Sequence, residues 1–328
     1  MQQLADQRAY RLGVDIGGTF TDLVLVDLKT QKRYVGKVLT TPREPARGVL
    51  NGLSKLLAQS GVDPAAIAHV IHATTLVTNA VIERKGARTG LITTMGMKDL
   101  LEIGREQKYE LYDIYLQVPE PLVPAPLRKE AVERVYVGGE VLVPLDLEQL
   151  RATIDELAGA GVESIAVSLL HSYANPDHEL AIEREIRRSH PEISVSISSK
   201  VAREIREYER TSTTVVNAYV QPIAERYLER LRQELAERGV RGELFIMLSS
   251  GGITSTDAAK AVPVRLIESG PAAGALVGAF YGRLTDQPSV LAFDMGGTTA
   301  KACLIQNGQP ETTYSFEVAR VHRFKKGS

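Results

Sequence analysis

Nine residues from Val14, VDIGGTFTD, return 279 positions later from Phe293 as FDMGGTTAK. At that offset Asp15 pairs with Asp294, Gly17 with Gly296, Gly18 with Gly297 and Thr19 with Thr298. Leu12 and Leu25 pair with Leu291 and Leu304 at the same spacing. Both stretches are flanked by apolar β-formers, RLGVDI and LVLVD around the first, SVLAFDM and ACLI around the second. This pattern reads as strand, two-glycine turn, strand. A hairpin repeated with its carboxylate constrains the fold more than any other feature, because packing alone does not require the aspartate twice.

The two-glycine turn lets backbone N–H groups gather around an anion, and the following threonine adds a hydroxyl donor. An aspartate before the glycines repels phosphate directly, so it makes sense with Mg²⁺ between, held by one or two carboxylates and phosphate oxygens. Two such hairpins face to face would grip one polyphosphate. Taken singly, a D-x-G-G-T stretch is equally a hairpin with a capping aspartate.

Between the hairpins, strand-like and helix-like segments alternate. HVIHATT precedes a helical LVTNAVIERKG, then the strand TGLITT and the helix MKDLLEIGRE. EQLRATIDELAGAG is a helix closed by Gly161, followed by the strand SIAVSLL. Asn175 caps a further helix with Pro176 in its first turn, and EISVSIS is another strand. A long amphipathic helix, TTVVNAYVQPIAERYLERLRQELAERG, leads into the strand ELFIMLSSGG. The class is α/β, with sheets covered by helices. Residues 109–134 break the rhythm, since prolines at 119, 121, 124 and 126 disfavour helix and central strand. Two lobes are expected, residues 8–200 and 201–328, with the boundary near Lys200.

The charge balance, 39 basic against 40 acidic residues, gives no support for nucleic acid or an acidic membrane as partner. Only the final RVHRFKKGS is strongly basic. The start has no signal-peptide layout and no run is long enough to span a bilayer, so the expected compartment is the cytoplasm. The one cysteine, Cys303, excludes an internal disulfide and reads as a buried small side chain in a strand.

The paired hairpins resemble the two phosphate loops of the actin, hexokinase and heat-shock-chaperone ATPase superfamily. ESGPAAGALVGAFYG, residues 268–282, resembles that superfamily's connecting helix, where small residues such as Ala272, Ala273 and Gly274 permit close approach. The resemblance implies ribonuclease-H-like lobes around a nucleotide cleft, with ATP and Mg²⁺ as cofactors. Asp15 and Asp294 would be catalytic and hold the metal. Gly17, Gly18, Thr19, Thr21, Gly296, Gly297, Thr298 and Thr299 would bind the nucleotide.

The block from His72 to Glu106, with LYDIY, PLVP, ERV, SSGG, ESGPAAG and DMGGTTAKA, further resembles the hydantoinase A/5-oxoprolinase family. Membership implies ATP-dependent opening of a cyclic amide, with the carbonyl activated by phosphorylation, or carboxylation of a ketone in related branches. It also implies a second, hydantoinase-B-type subunit. A catalytically incomplete nucleotide-binding module and a small-molecule kinase are the competing readings.

Within the family-like block, His72, Thr74, Thr75 and Asn79 lie at a strand-to-helix transition where a substrate anion or carbonyl can be met. His72 and Asn79 are candidate catalytic residues, Thr74 and Thr75 candidate substrate ligands. Helix capping by either threonine and a satisfied core histidine are the alternatives. Arg105 and Asp113 are candidate substrate ligands, a surface ion pair being the other reading of Arg105. Arg210, Thr214 and Asn217 share a helix stripe that faces either the cleft or another lobe.

The second hairpin departs from the first where Thr21 and Asp22 become Ala300 and Lys301, a lysine that contacts phosphate or solvent. Only 31 residues follow Gly297, too few for another sheet with its helices. The second lobe is therefore expected to be completed by further or neighbouring chain.

Overall fold

The computed structural model describes residues 9–41, 44–106, 108–295, 300–315 and 317–318. The chain forms two compact units that are not consecutive in sequence. Residues 1–78 and 224–315 make the first, and residues 79–223 with 316–328 make the second. Lys200, where the lobe boundary was expected, lies inside the second unit.

In the first unit, β1 (Tyr10–Ile16), β2 (Phe20–Asp27) and β3 (Arg33–Leu39) form an antiparallel meander. Helix α1 (Pro45–Ser60) leads to β4 (Ile67–Thr74), which runs parallel to β1, and helix α2 (Leu76–Ile82) follows. The alternation in β1 and β2 buries Leu12, Val14, Ile16, Leu23 and Leu25 on one face. Helix α1 lays Val49, Leu53 and Leu56 into the same core at helical spacing, starting at a proline and ending at left-handed Gly61.

Chain 79–223 supplies the second unit: β5 (Thr89–Thr94), α3 (Leu100–Ile103), β6 (Arg128–Ala131), β7 (Arg134–Val135), β8 (Val141–Val143), α4 (Leu147–Gly159), β9 (Ser164–Ser168), α5 (Asp177–Ser189), β10 (Ser194–Ile197) and α6 (Ser198–Val201). Strands β10, β9, β5 and β6 form a wholly parallel sheet in that spatial order. Strands β5 and β9 are buried along their whole length, as expected when both faces are covered. Leu91, Ile92, Leu150, Ile154, Ile165 and Ile182 lie in the core of this unit. Helix α7 (Glu207–Glu237) carries the chain back, its residues from Ala224 onward belonging to the first unit.

There β11 (Glu243–Met247) pairs parallel to β4, and β12 (Ile253–Ser255) closes the sheet; α8 (Thr256–Ala261) follows. The six-stranded order is β12-β11-β4-β1-β2-β3. Its β3-β2-β1-β4-β11 portion is the ribonuclease-H-like arrangement that the hairpin resemblance implies. Helix α9 (Ser269–Leu284) then packs on a separate three-stranded sheet, β13 (Ser289–Met295), β14 (Ala300–Gln306) and β15 (Gln309–Pro310).

Several local expectations are met. Gly161 after α4 is left-handed, and the Asn175 side chain accepts from the Asp177 amide, although Pro176, not Asn175, occupies the position that caps α5. Others need correction. Residues 128–131 of the proline-rich segment form β6, because they follow the last proline and have every N–H available for pairing. Cys303 is half-buried rather than buried. Close approach by α9 occurs at Gly278 and Gly282, not at Gly274. A Cβ at Gly278 would lie 2.8 Å from Ile305 Cδ1, and one at Gly282 would lie 2.9 Å from Val290 Cγ2. Around Gly274 there is open space. Among the described residues, no helix is long and apolar enough to cross a membrane.

The strand ends of the second unit are fixed by one buried carboxylate. Glu179 accepts from the Leu169 amide (2.9 Å), the Ser198 hydroxyl (2.6 Å) and the Ser199 amide (2.8 Å). Replacing Glu179 with Ala leaves three donors without their acceptor, so Glu179→Ala is expected to destabilise the protein by about 3 kcal/mol or more. Urea unfolding checks this, with Glu179→Gln giving a smaller loss because its carbonyl still accepts.

Candidate functional site

The first hairpin turns where Gly17 donates its N–H to the Phe20 carbonyl, 2.9 Å away. A Cβ at Gly17 would lie 3.2 Å from that same oxygen, so the tight turn favours glycine here. Gly18 and Thr19 stand exposed at the tip. Thr40, at the end of β3, braces the turn. Its hydroxyl donates to the Gly17 carbonyl (2.9 Å), and its amide donates to the Thr19 carbonyl (2.9 Å). Thr21, expected to bind nucleotide, is fully buried with its hydroxyl 3.1 Å from that of Thr40. Its side chain supports the turn from behind. Thr40 carries no sequence signal of its own.

Thr75 ties the start of α2 to the end of β1, its hydroxyl donating to the Ile16 carbonyl at 3.2 Å. The Thr74 hydroxyl accepts from the Leu76 amide at 3.2 Å, the capping role left open above. The start of α9 is tied to the same corner: Ser269 Oγ lies 3.5 Å from the Thr74 carbonyl, and the Glu268 amide donates to the Thr78 hydroxyl at 3.2 Å. Glu268 itself sits at φ 63°, a left-handed conformation uncommon for a non-glycine residue.

Asp15 lies at this corner. A Cβ at Gly270, in the first turn of α9, would be 3.8 Å from Asp15 Oδ1. Surrounding protein raises the Asp15 pKa by desolvation although the residue keeps solvent contact, and the charges of Asp22 and Asp294 raise it further, against Lys37. The charge of the second repeated aspartate thus bears on the first. Their cross-strand partners differ. Asp15 stands opposite Asp22, which pairs with Lys37 at 2.7 Å, whereas Asp294 stands opposite Lys301. Lys301 forms an ion pair with Glu268, so it is neither free in solvent nor held for a phosphate alone. Glu268 sits within the motif quoted above but had no assigned role. Gly296, Gly297, Thr298 and Thr299 lie outside the described residues.

His72 does not reach this corner. It is fully buried on β4, with Nε2 2.8 Å from the Tyr227 hydroxyl. Burial lowers its pKa to about 4, the Val14 backbone opposing this, so the imidazole stays neutral across ordinary pH. A catalytic His72 is corrected to a buried core histidine, because no surface of the ring is open to a substrate.

The remaining candidates belong to the second unit. Asn79 is half-buried in α2, and its carbonyl accepts from the Glu83 amide. Arg105 donates to Glu209 (2.9 Å) and Glu317 (3.0 Å), and the Glu209 hydrogen bond chiefly raises its pKa. Asp113 is exposed, its side chain accepting from the Tyr115 amide at 2.9 Å. Arg210, Thr214 and Asn217 face the interior of this unit. Arg210 donates to the carbonyls of Leu169 (2.9 Å) and Glu204 (2.7 Å), Thr214 to that of Arg210, and Asn217 to the Ser196 hydroxyl.

The family model for the hydantoinase/oxoprolinase N-terminal region matches residues 11–190, and that for hydantoinase/oxoprolinase matches residues 210–324. An uncharacterized protein of Methanocaldococcus jannaschii is 41% identical over 97% of the chain and 47% of its own length. Caprolactamase subunit alpha of Pseudomonas jessenii is 34% identical over 92% of the chain and 44% of its own. A nucleotide-free structure of acetone carboxylase, which carries out ATP-dependent acetone carboxylation, superposes with TM-score 0.82 at 30% identity, covering 93% of the chain and 46% of that structure. The chain thus spans a little under half the length of these relatives.

His72 gives a pH test of this geometry. Above about pH 6.5 both folded and unfolded imidazoles are neutral and add no pH dependence. Between there and about 4 the unfolded chain binds the proton while the folded core does not, so stability falls with falling pH. The loss attributable to His72 is roughly 3 kcal/mol across that window. In urea unfolding at a series of pH values, His72→Phe is expected to flatten this part of the profile while lowering stability at pH 7, where Tyr227 loses its partner.

Proposed function

The chain belongs to the hydantoinase/oxoprolinase family, and from that premise we propose that it is the ATP-binding part of an ATP-dependent cyclic-amide hydrolase of hydantoin or 5-oxoproline type. The observation that carries this reading is the exposed tip of the first hairpin at the corner where Asp15 meets the first turn of α9, with the charge of Asp294 bearing on Asp15. A cation beside Asp15 relieves the cost of ionising it there. The donor set fits Mg²⁺, which takes one or two carboxylates and completes its shell with phosphate oxygens and water.

An amide carbonyl is a poor electrophile. In the proposed reaction its oxygen attacks the γ-phosphorus and ADP departs. Water then adds to the phosphorylated carbon, and the C–N bond breaks with the ring nitrogen taking a proton and leaving as the amine. A second water hydrolyses the resulting acyl phosphate to carboxylate and phosphate. Such transfer depends mainly on positioning and charge neutralisation. Mg²⁺ would supply the neutralisation, held by Asp15 and Asp294. Gly17, Gly18 and Thr19 would present the first tip to the phosphates, with Gly296, Gly297, Thr298 and Thr299 as the second. The exposed tip of the first hairpin and its buttressing by Thr21 and Thr40 support that assignment. Thr75 would set the corner between β1 and α2. Asn79, Arg105 and Asp113 are proposed on the substrate side of the family-like block. The likeness to caprolactamase subunit alpha supports the cyclic-amide class, caprolactam being a lactam, and points to a second subunit, here proposed as hydantoinase-B-type. The likeness to acetone carboxylase supports a ketone carboxylase ATPase subunit as the second reading. A cytoplasmic location is proposed with the ATP requirement.

Two measurements test this. Asp15→Asn and Asp294→Asn are each expected to weaken MgATP binding at least tenfold, about 1.4 kcal/mol, with little change in the absence of Mg²⁺. Titration calorimetry with and without chelator checks this; equal affinities in mutant and parent refute the metal-bridging role. ATP turnover is then followed with hydantoin, 5-oxoproline, caprolactam and ketone panels, with and without the second subunit. Phosphate release stimulated by a cyclic amide is the expected result; stimulation by ketone and bicarbonate alone selects the carboxylase.

A further inference from the structure

Asp15, Asp22 and Lys37 stand in one row across β1, β2 and β3, each directly opposite the next in the strand register. Opposed residues of an antiparallel meander project from the same face. That face is the reverse of the one that buries Leu12, Val14, Leu23 and Leu25. The row therefore lies on the outer side of the meander, beside the exposed tip at Gly18 and Thr19. At the 279-residue offset the second hairpin repeats it in shortened form, with Asp294 opposite Lys301. Each hairpin thus sets one lysine in the row of its aspartate. In the second the lysine belongs to the hairpin itself. In the first an aspartate occupies that position, and the next strand delivers the lysine.

Two contacts hold the Lys37 ammonium near the tip. Nζ lies 2.7 Å from Asp22 Oδ1 and 2.9 Å from Oδ2, and 4.6 Å from the centre of the Phe20 ring. Phe20 directly follows Thr19, so the charge sits next to the turn rather than farther along the strand. Its influence extends to Asp15: burial and two acidic neighbours raise that carboxyl's pKa, and the Lys37 charge opposes them. The lysine side chain is 54% exposed and its Asp22 partner 45%. An ion pair so open to water adds at most about 1 kcal/mol to stability. Folding alone gives it little purpose, and little is lost when the lysine changes partner. A compact ammonium on a flexible stem is suited to that exchange.

Resting on the reading that this corner binds MgATP, we infer that Lys37 is a phosphate ligand of the first hairpin: its ammonium exchanges Asp22 for an oxygen of the triphosphate presented to Gly17, Gly18 and Thr19. The need is electrostatic. Asp15 and Asp22, with the charge of Asp294 bearing on them, repel a triphosphate, and the amides of the turn carry only partial positive charge. Lys37 brings a full positive charge into that row from outside the VDIGGTFTD motif. A lysine meets phosphate as a point charge, with no fixed fork to align.

Titration calorimetry with MgATP compares the full chain with Lys37→Gln and with Lys29→Gln, an exposed lysine of the β2–β3 turn whose loss changes the net charge equally. Lys37→Gln is expected to bind about tenfold more weakly or worse, the loss of one charge-assisted hydrogen bond. Lys29→Gln is expected to bind as the parent does. In parallel, acylation of lysines is mapped by mass spectrometry with and without MgATP. At about ten times Kd the reaction at Lys37 is expected to slow about tenfold, with Lys29 unchanged. Equal affinity of Lys37→Gln and the parent, with Asp15→Asn weakened, overturns the inference and leaves the proposed function standing. Equal weakening by both lysine variants reduces the effect to net charge and overturns it, as does unchanged acylation of Lys37 under MgATP. A parent chain that binds no MgATP removes the underlying reading, and this inference with it.

Discussion

Close approach of α9 to the second hairpin sets the position of everything at the candidate site. Val290, Ala292 and Ile305 occupy space that a side chain at Gly278 or Gly282 would need. Interiors are packed without slack, so a helix of larger residues would stand off by a side-chain layer. The same helix starts beside Asp15, fastened by Ser269 to the Thr74 carbonyl and by the Glu268 amide to Thr78. One rigid element thus touches the first hairpin at its beginning and the second along its length. The charge of Asp294 thereby bears on Asp15, 279 positions away in sequence.

Around this arrangement the polar groups divide into those that build the corner and those that remain free to meet a ligand. Thr21, Thr40, Thr74 and Thr75 spend their hydroxyls within the protein, holding β1, β3 and α2 to one another. Nε2 of His72 and the Tyr227 hydroxyl are hydrogen-bonded to each other in the interior. What stays exposed is the tip at Gly18 and Thr19 and the two carboxylates. A threonine-rich turn can therefore look like a ligand cradle in sequence while much of it is internal bracing.

The hairpins are also electrostatically unlike. Asp15 faces Asp22 across the strands, and Asp294 faces Lys301, which is drawn to Glu268. In the first hairpin Lys37 arrives from β3 to neutralise Asp22. In the second the lysine sits on the hairpin itself and binds it to the start of α9. A single exchange of Asp for Lys thus ties strand β14 to the residue that precedes α9.

The repeat, the glycine turns and the alternation of strands and helices were legible in the sequence because they are local: periodicity, turn chemistry and capping act within a few residues. They sufficed for the α/β class, the hairpins, the left-handed Gly161 and the family resemblance. Lys200 looked like a lobe boundary, but the units interleave, since β11 returns to pair with β4 across 168 intervening residues. Local pattern carries no record of such a return. The burial of His72, the inward stripe of Arg210, Thr214 and Asn217, and the service of Thr21 to Thr40 were likewise settled by tertiary structure. A polar side chain reads the same in sequence whether its partner is a ligand or a distant carbonyl, and only the folded chain brings that partner into range.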